Sequence, residues 1–240
     1  MEKKEKLILI DGNALFYRAF YALPPLTTSK GIATGAVYGF TRMLIKLIKE
    51  EGANYLVCAF DKGKKTFRHK EYKEYKATRP KMPEELVSQI PLIRKVLGGF
   101  GIPIFEDEEY EADDLLGTLA KKGEKEGIRV EIFSGDKDIL QIVSPSIFAI
   151  RPTKGISQTQ LFGEEKVKEK FGVSPSEIPD YLALVGDKSD NIPGVPGIGP
   201  KTAEELIRKF ENLENLLKNL ENLSPQRRKL FTKFAEQARL

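Results

Sequence analysis

The chain has 240 residues, with 39 lysines and arginines against 35 acids, one histidine and one cysteine. That length can bury a full core as one large domain, or one domain with a small appendage, and a single cysteine excludes a disulfide framework and points to a reducing compartment. The charged start, Met1 to Lys6, and the four apolar residues before Asp11 exclude a signal-peptide core or a membrane span, so a cytoplasmic protein with no membrane partner is expected.

Leu7 to Ile10 reads as a short buried strand that ends at Asp11. Phe40, Leu44, Leu47 and Ile48 have the spacing of one buried helix face. Tyr55 to Phe60 is a second strand, holding Cys58 as a small core residue and ending at Asp61. Leu86, Ile90, Ile93 and Leu97 mark another helix. Tyr110 opens a third, which carries Glu111, Asp113 and Asp114 at its entry, runs to about Glu126 and stops at Gly127. Val130 to Phe133 is a third strand, followed by Ser134, Gly135, Asp136, Lys137 and Asp138. A helical run over Tyr181 to Val185 leads into Asp187 and Asp190, and a last helix begins near Pro200 with Ala203, Leu206, Ile207 and Phe210 on one face.

Alternation of strand and helix implies right-handed crossovers and a mostly parallel sheet flanked by helices, with ligands outside the carboxyl ends of the strands. Asp11, Asp61 and Asp136 would then meet on one edge. Eight of ten aspartates end a strand or helix, whereas the 25 glutamates scatter over helix surface. One acid in a first helical turn serves the helix dipole, and one aspartate after a strand serves a turn. Several together need positive charge, because two carboxylates about 4 Å apart repel by roughly 4 kcal/mol at an effective dielectric near 20. Magnesium or manganese suits an all-oxygen set; zinc does not, since the set has no cysteine and His69 lies in a charged segment away from it. Two such ions are the usual device for phosphodiester hydrolysis.

Setting aside the eight aspartates and Glu111, 26 acids face 39 basic residues, an excess of about 13 that favours a polyanion. From Lys62 to Lys81 nine lysines and arginines stand against two glutamates, with Phe67, Tyr72 and Tyr75 interleaved. This suits nucleic acid, bases stacking on rings and phosphates pairing with cations. As a helix the segment would align Arg68, Tyr72, Lys76 and Arg79. Gly194 to Ala203 links two helices, and Gly197 and Gly199 allow close backbone approach where the second helix begins. Its exposed amides, with Lys201 and Thr202, form a phosphate site, although a glycine-proline connector would look alike.

In order, LILIDGNALFYRAF, AVYGF, FRHKEYKEYKATRP, YEADDLLGTLAKK, SGDKD and GDKSDNIPGVPGIGPKTA resemble the 5′-nuclease family, most closely the 5′ to 3′ exonuclease domain of bacterial DNA polymerase I, over nearly the entire chain. The resemblance implies a PIN-like α/β 5′-nuclease core over 1–178, including a basic helical arch segment at 62–85, and a C-terminal helical subdomain over 179–240 with a helix-three-turn-helix. It implies a 5′ to 3′ exonuclease and 5′-flap endonuclease of replication and repair. Its cofactors would be two Mg2+ or Mn2+ ions, often with K+ at the hairpin. Its partners would be DNA with 5′ flaps or 5′ ends and a DNA polymerase, in cis or in trans; a monomer is expected.

Carried over by motif, Asp11, Asp61, Glu111 and Asp113 lie nearer one ion and Asp136, Asp138 and Asp187 nearer the other, with Asp114 and Asp190 acting through water. Lys76 and Arg79 match arch positions that engage the scissile phosphate, and Tyr17 matches a base-stacking aromatic. Gly197, Gly199, Lys201 and Thr202 match the duplex-gripping hairpin. The family domain usually continues for several dozen residues where this chain stops at Leu240, so a free-standing nuclease or a fragment is expected, with duplex affinity more affected than chemistry. Two rivals stand beside this reading: a non-catalytic junction-binding module, and a PIN-like ribonuclease.

Overall fold

The computed structural model describes residues 5–63, 65–154 and 158–239. Residues 1–4 of the charged start and Lys64 of the basic segment lie outside the described residues. The chain divides into two compact units: Met1–Thr66 with Lys81–Ile139 and Val143–Gly163, and Phe67–Pro80 with Leu140–Ile142 and Glu164–Leu240.

The first unit is built on a six-stranded sheet of β1 (Lys6–Asp11), β2 (Tyr55–Ala59), β3 (Ile104–Phe105), β4 (Arg129–Phe133), β5 (Ile147–Lys154) and β6 (Gln158–Phe162), in the order β3-β2-β1-β4-β5-β6. Every pairing is parallel except the last, β5 with β6. β1 is central, and Ile8, Leu9 and Ile10 are fully buried, which is why it reads as an unbroken apolar run rather than an alternation. In its register Asp11 faces Ala59 on one side, and Ile10 faces Phe133 on the other. The carboxyl ends of β1, β2 and β4 therefore finish level, and the acids that follow them emerge on one edge.

The helices of this unit are α1 (Gly12–Ala22), α2 (Gly35–Glu51), α4 (Glu84–Val87), α5 (Ile90–Gly99) and α6 (Ala112–Lys125); α3 (Phe67–Glu71) belongs to the second unit. Phe40, Leu44 and Leu47 of α2 are buried with Phe16, Leu86, Ile93 and Leu97 in one core, while Ile48 is exposed. The helix expected over 86–97 is two helices, α4 and α5, separated at Ser88 and Gln89, with Pro91 in the first turn of the second. α6 ends as expected, with Gly127 at φ 74°.

The second unit holds α3 and then α7 (Glu164–Phe171), α8 (Ile178–Val185), α9 (Pro200–Phe210), α10 (Leu213–Lys218) and α11 (Pro225–Ala238). α9 buries Ala203, Leu206, Ile207 and Phe210, the face read from spacing. The basic segment departs from a continuous helix: α3 covers only Phe67–Glu71, turns follow, and Lys76 has φ 55°. Arg68, Tyr72, Lys76 and Arg79 thus do not share a helix face. Among the described residues no helix is long and apolar enough to cross a membrane.

Candidate active site

Asp11 ends β1 and caps α1. Its Oδ1 accepts from the Ala14 N–H at 2.8 Å, and its Oδ2 accepts from the Ser134 hydroxyl at 2.9 Å. Only 7% exposed, its carboxyl is pushed up to about 6 by burial; the two hydrogen bonds oppose this, and the nearby charges of Asp61 and Asp136 add to it. The three strand-end acids thus share one electrostatic neighbourhood.

Asp61 is held from two sides, its Oδ2 accepting from Asn13 Nδ2 and its Oδ1 from the Ala112 N–H, both at 2.8 Å. The second bond ties the start of α6 to the end of β2 and so brings Glu111 and Asp113, the neighbours of Ala112, to the same edge. Glu111 is the buried N-cap of α6 and forms a reciprocal capping box with Asp114, whose Oδ2 accepts from the Glu111 N–H at 3.0 Å. Their three-residue spacing therefore has a structural use of its own. Asp113 is half-buried on the same first turn.

After β4, the Ser134 hydroxyl that donates to Asp11 also accepts from the Asp136 N–H at 3.1 Å, and Asp136 Oδ1 accepts from the Asp138 N–H at 3.0 Å. Arg151, on β5, donates from Nη2 to the Gly135 carbonyl at 2.7 Å. Burial lowers its guanidinium from the ordinary value, and the Asp136 charge opposes that shift. Ser134, Asn13 and Arg151 escaped the sequence reading. Among the described residues, no three histidine, cysteine or acidic side chains are assembled to hold an ion. The acids share a field while several of their oxygens are held by hydrogen bonds within the chain.

In the second unit Asp187 Oδ1 accepts from the Ser189 N–H at 2.7 Å and from its hydroxyl at 2.5 Å. Asp190 accepts from Arg79 and from Tyr75, and Lys76 stands nearby. Arg68 lies over the Phe67 ring at 4.7 Å, Tyr72 reaches the Asn191 carbonyl at 3.4 Å, and His69 meets Tyr75 edge-on. At the hairpin, Gly197 is exposed at φ 78°, Gly199 caps α9, Lys201 is exposed and Thr202 is half-buried. Lys201 also lines a cavity of about 410 Å³ with Lys168, Lys170 and Arg208, basic neighbours that spacing did not reveal. In the first unit, Tyr17 is half-buried and lies nearly parallel to the exposed Tyr21, ring centroids 6.4 Å apart.

A mostly parallel sheet with carboxylates at its carboxyl edge and a second, helical unit rich in lysine define the class. The 5′-3′ exonuclease N-terminal, resolvase-like domain matches residues 6–172, and the 5′-3′ exonuclease C-terminal SAM fold matches 173–240. The chain belongs to the 5′-3′ exonuclease family. It is 51% identical to a 5′-3′ exonuclease of Aquifex aeolicus over 90% of this chain and 73% of that protein. It is 48% identical to DNA polymerase I of Bacillus subtilis over 95% of this chain, and there it spans only 26% of the relative's length. The fold is that of the phage T5 5′-exonuclease solved with divalent metal ions, zinc, bound (TM-score 0.79, 22% identical, covering 98% of this chain and 86% of that one). It is also that of the catalytic core of Rad2 solved in complex with DNA substrate (TM-score 0.59, 18% identical, 98% of this chain and 74% of that one).

Proposed function

We propose that this chain is a divalent-metal-dependent 5′ nuclease that hydrolyses DNA phosphodiesters at 5′ ends and 5′ flaps in replication and repair. The observation that carries the reading is the field that Asp61 and Asp136 exert on Asp11 at the level ends of three parallel strands, with Asp11 buried and its carboxyl raised. Such a set fits hard cations. Its donors are all oxygen, His69 is packed against Tyr75, and burial pushes the Cys58 thiol well up, far from a thiolate ligand.

The proposed metal-holding residues of this edge are Asp11, Asp61, Glu111, Asp113, Asp136 and Asp138, with Asp114 acting through water. Magnesium is the proposed ion and manganese its substitute; K+ at the hairpin belongs to the same proposal. Bound divalent ions would activate the attacking water and stabilise the leaving oxygen, a two-ion mechanism. The chain's own residues do the rest. Ser134 and Asn13 fix the carboxylates of Asp11 and Asp61, and Arg151 fixes the Gly135 carbonyl between Ser134 and Asp136. Lys76 and Arg79 are proposed to engage the phosphate, Tyr17 to stack on a base, and the 194–203 turn with Lys201 and Thr202 to hold duplex backbone. No serine or cysteine nucleophile is needed.

Support comes from the family and from the T5 relative, which was solved with divalent ions and as a pseudo-enzyme-product complex with DNA and metal ions. A polymerase working in cis or in trans is proposed from the DNA polymerase I relatives. The test offers labelled 5′-flap DNA and matched RNA, with magnesium or with chelator, to the native chain and to Asp136→Ala. Magnesium-dependent cutting of the DNA near the junction, lost in Asp136→Ala while DNA is still bound, is expected. Cutting that survives chelator, or a preference for RNA, overturns the proposal.

A further inference from the structure

Asp190 is 6% exposed, and a carboxylate so placed requires positive partners. It has two. Its Oδ1 accepts from Arg79 Nη2 at 2.6 Å, Lys76 Nζ stands 3.8 Å from Oδ2, and the Tyr75 hydroxyl donates to Oδ2 at 2.9 Å. The two backbones are joined as well. The Lys76 N–H donates to the Asp190 carbonyl at 2.9 Å, Arg79 Nε to the Ser189 carbonyl at 3.1 Å, and Asn191 Nδ2 to the Glu74 carbonyl at 2.7 Å. Lys76 and Asn191 hold left-handed φ values of 55° and 59°, a conformation that a residue with a side chain keeps only where its surroundings fix it.

We propose that Asp190 is the positioning residue for Lys76 and Arg79, orienting both cations for phosphate, and that this is its contribution in place of holding an ion. The inference rests on the nuclease reading above. The Arg79 side chain remains 43% exposed, so its guanidinium still meets solvent while Asp190 holds it. Lysine and arginine carry large rotamer entropy, so fixing them before substrate arrives removes part of the cost of ordering them in the complex. The Tyr75 bond serves the same end by fixing the second carboxylate oxygen.

The experiment compares the full chain with Asp190→Asn, Arg79→Met and the double variant on labelled 5′-flap DNA, in single turnover across a magnesium titration. Asp190→Asn should slow cleavage at saturating magnesium by about tenfold or more, with the magnesium midpoint unchanged within about twofold. In the Arg79→Met background the same substitution should cost less than in the native chain, because only Lys76 is then left for Asp190 to orient. A tenfold rise in the magnesium midpoint, or losses that multiply in the double variant, overturns the proposal in favour of an ion ligand. Should Asp190→Asn fail to fold, Arg79→Met tests the pair from its exposed end. Tryptic cutting at Lys70 and Lys73 should accelerate as the segment loosens, and unchanged cutting overturns the proposal. A native chain that leaves flap DNA intact in magnesium sinks the nuclease reading itself, a result distinct from any of these.

Discussion

The Ser134 hydroxyl donates to Asp11 Oδ2 at 2.9 Å across 123 positions of sequence, and the same oxygen accepts from the Asp136 N–H. One small side chain thus links the ends of two neighbouring strands and two of the acids that follow them. Ser134→Ala removes a hydrogen bond to the charged form of a buried carboxylate, which raises the Asp11 carboxyl further. The expected cost is about 1.5–3 kcal/mol of stability near neutral pH, read by urea denaturation. In cleavage assays the acid limb of the pH profile should move to higher pH, and an unmoved limb argues against Asp11 as the titrating group.

Burial, reinforced by Asp61 and Asp136, holds the Asp11 carboxyl at about 6, above its ordinary 3.8. The folded chain therefore binds this proton more tightly than the unfolded chain. The stabilisation is complete below about 3.8 and is lost as pH rises through about 6, a change of up to roughly 3 kcal/mol. In chelator, thermal stability should fall from pH 5 to pH 7, and Asp11→Asn should flatten that slope. Magnesium competes with the proton, so its stabilising shift should be larger at pH 7.5 than at pH 5. A magnesium shift independent of pH contradicts this.

The strands that carry the acids were legible because β1, β4 and the carboxyl-terminal end of β2 are buried on both faces, and all three read as apolar runs that stop at or just before an aspartate. Ser134, Asn13 and Arg151 were not, because each acts through one contact with a residue distant in sequence, and their types have many commoner uses. Lysine and tyrosine at helical spacing suggested a helix through Arg79, yet Tyr75 bonds Asp190 and Lys76 takes a left-handed φ, so tertiary contacts override propensity there. β5 and β6 left no acid at a strand end to mark them, and passed unread. The capping box of Glu111 and Asp114 shows a pattern that chemistry and helix initiation share, and spacing alone could not apportion it.

Gln89 is 1% exposed, and its Oε1 accepts from the N–H groups of Ala36 and Val37 at 2.9 and 3.2 Å, while its Nε2 donates to the Glu85 carbonyl at 3.0 Å. It therefore caps α2 from the break between α4 and α5, and explains why the chain leaves the helix there. Gln89→Leu would strand two amides of a partly buried first turn and should cost about 2–4 kcal/mol. Gln89→Glu keeps the acceptor at a positive helix end but buries a charge and sets an oxygen against the Glu85 carbonyl that Nε2 now serves, so it should cost at least as much. A loss below about 1 kcal/mol for Gln89→Leu in urea denaturation would show that shape, rather than the hydrogen bonds of the amide, is what the site requires.

Three glycines of the hairpin answer to different demands. A Cβ on Gly194, at φ 60°, would lie 2.4 Å from the Gly186 nitrogen, so Gly194→Ala forces the turn apart and should cost about 3 kcal/mol or more. Gly197, at φ 78°, has nothing within 4 Å of such a carbon, so alanine there meets only the left-handed penalty of about 1–2 kcal/mol. Gly199, at φ −98°, has neither strain nor a neighbour within 4 Å, and the fold places no steric demand on it. Gly199→Ala should therefore lower the melting temperature only slightly, alanine being the poorer N-cap. If this amide approaches a DNA phosphate as closely as proposed, the added methyl should weaken duplex binding about tenfold, in the range of one lost close contact. Titration of a fluorescent duplex in chelator reads this without cleavage, and affinity equal to the native chain's would remove Gly199 from the interface.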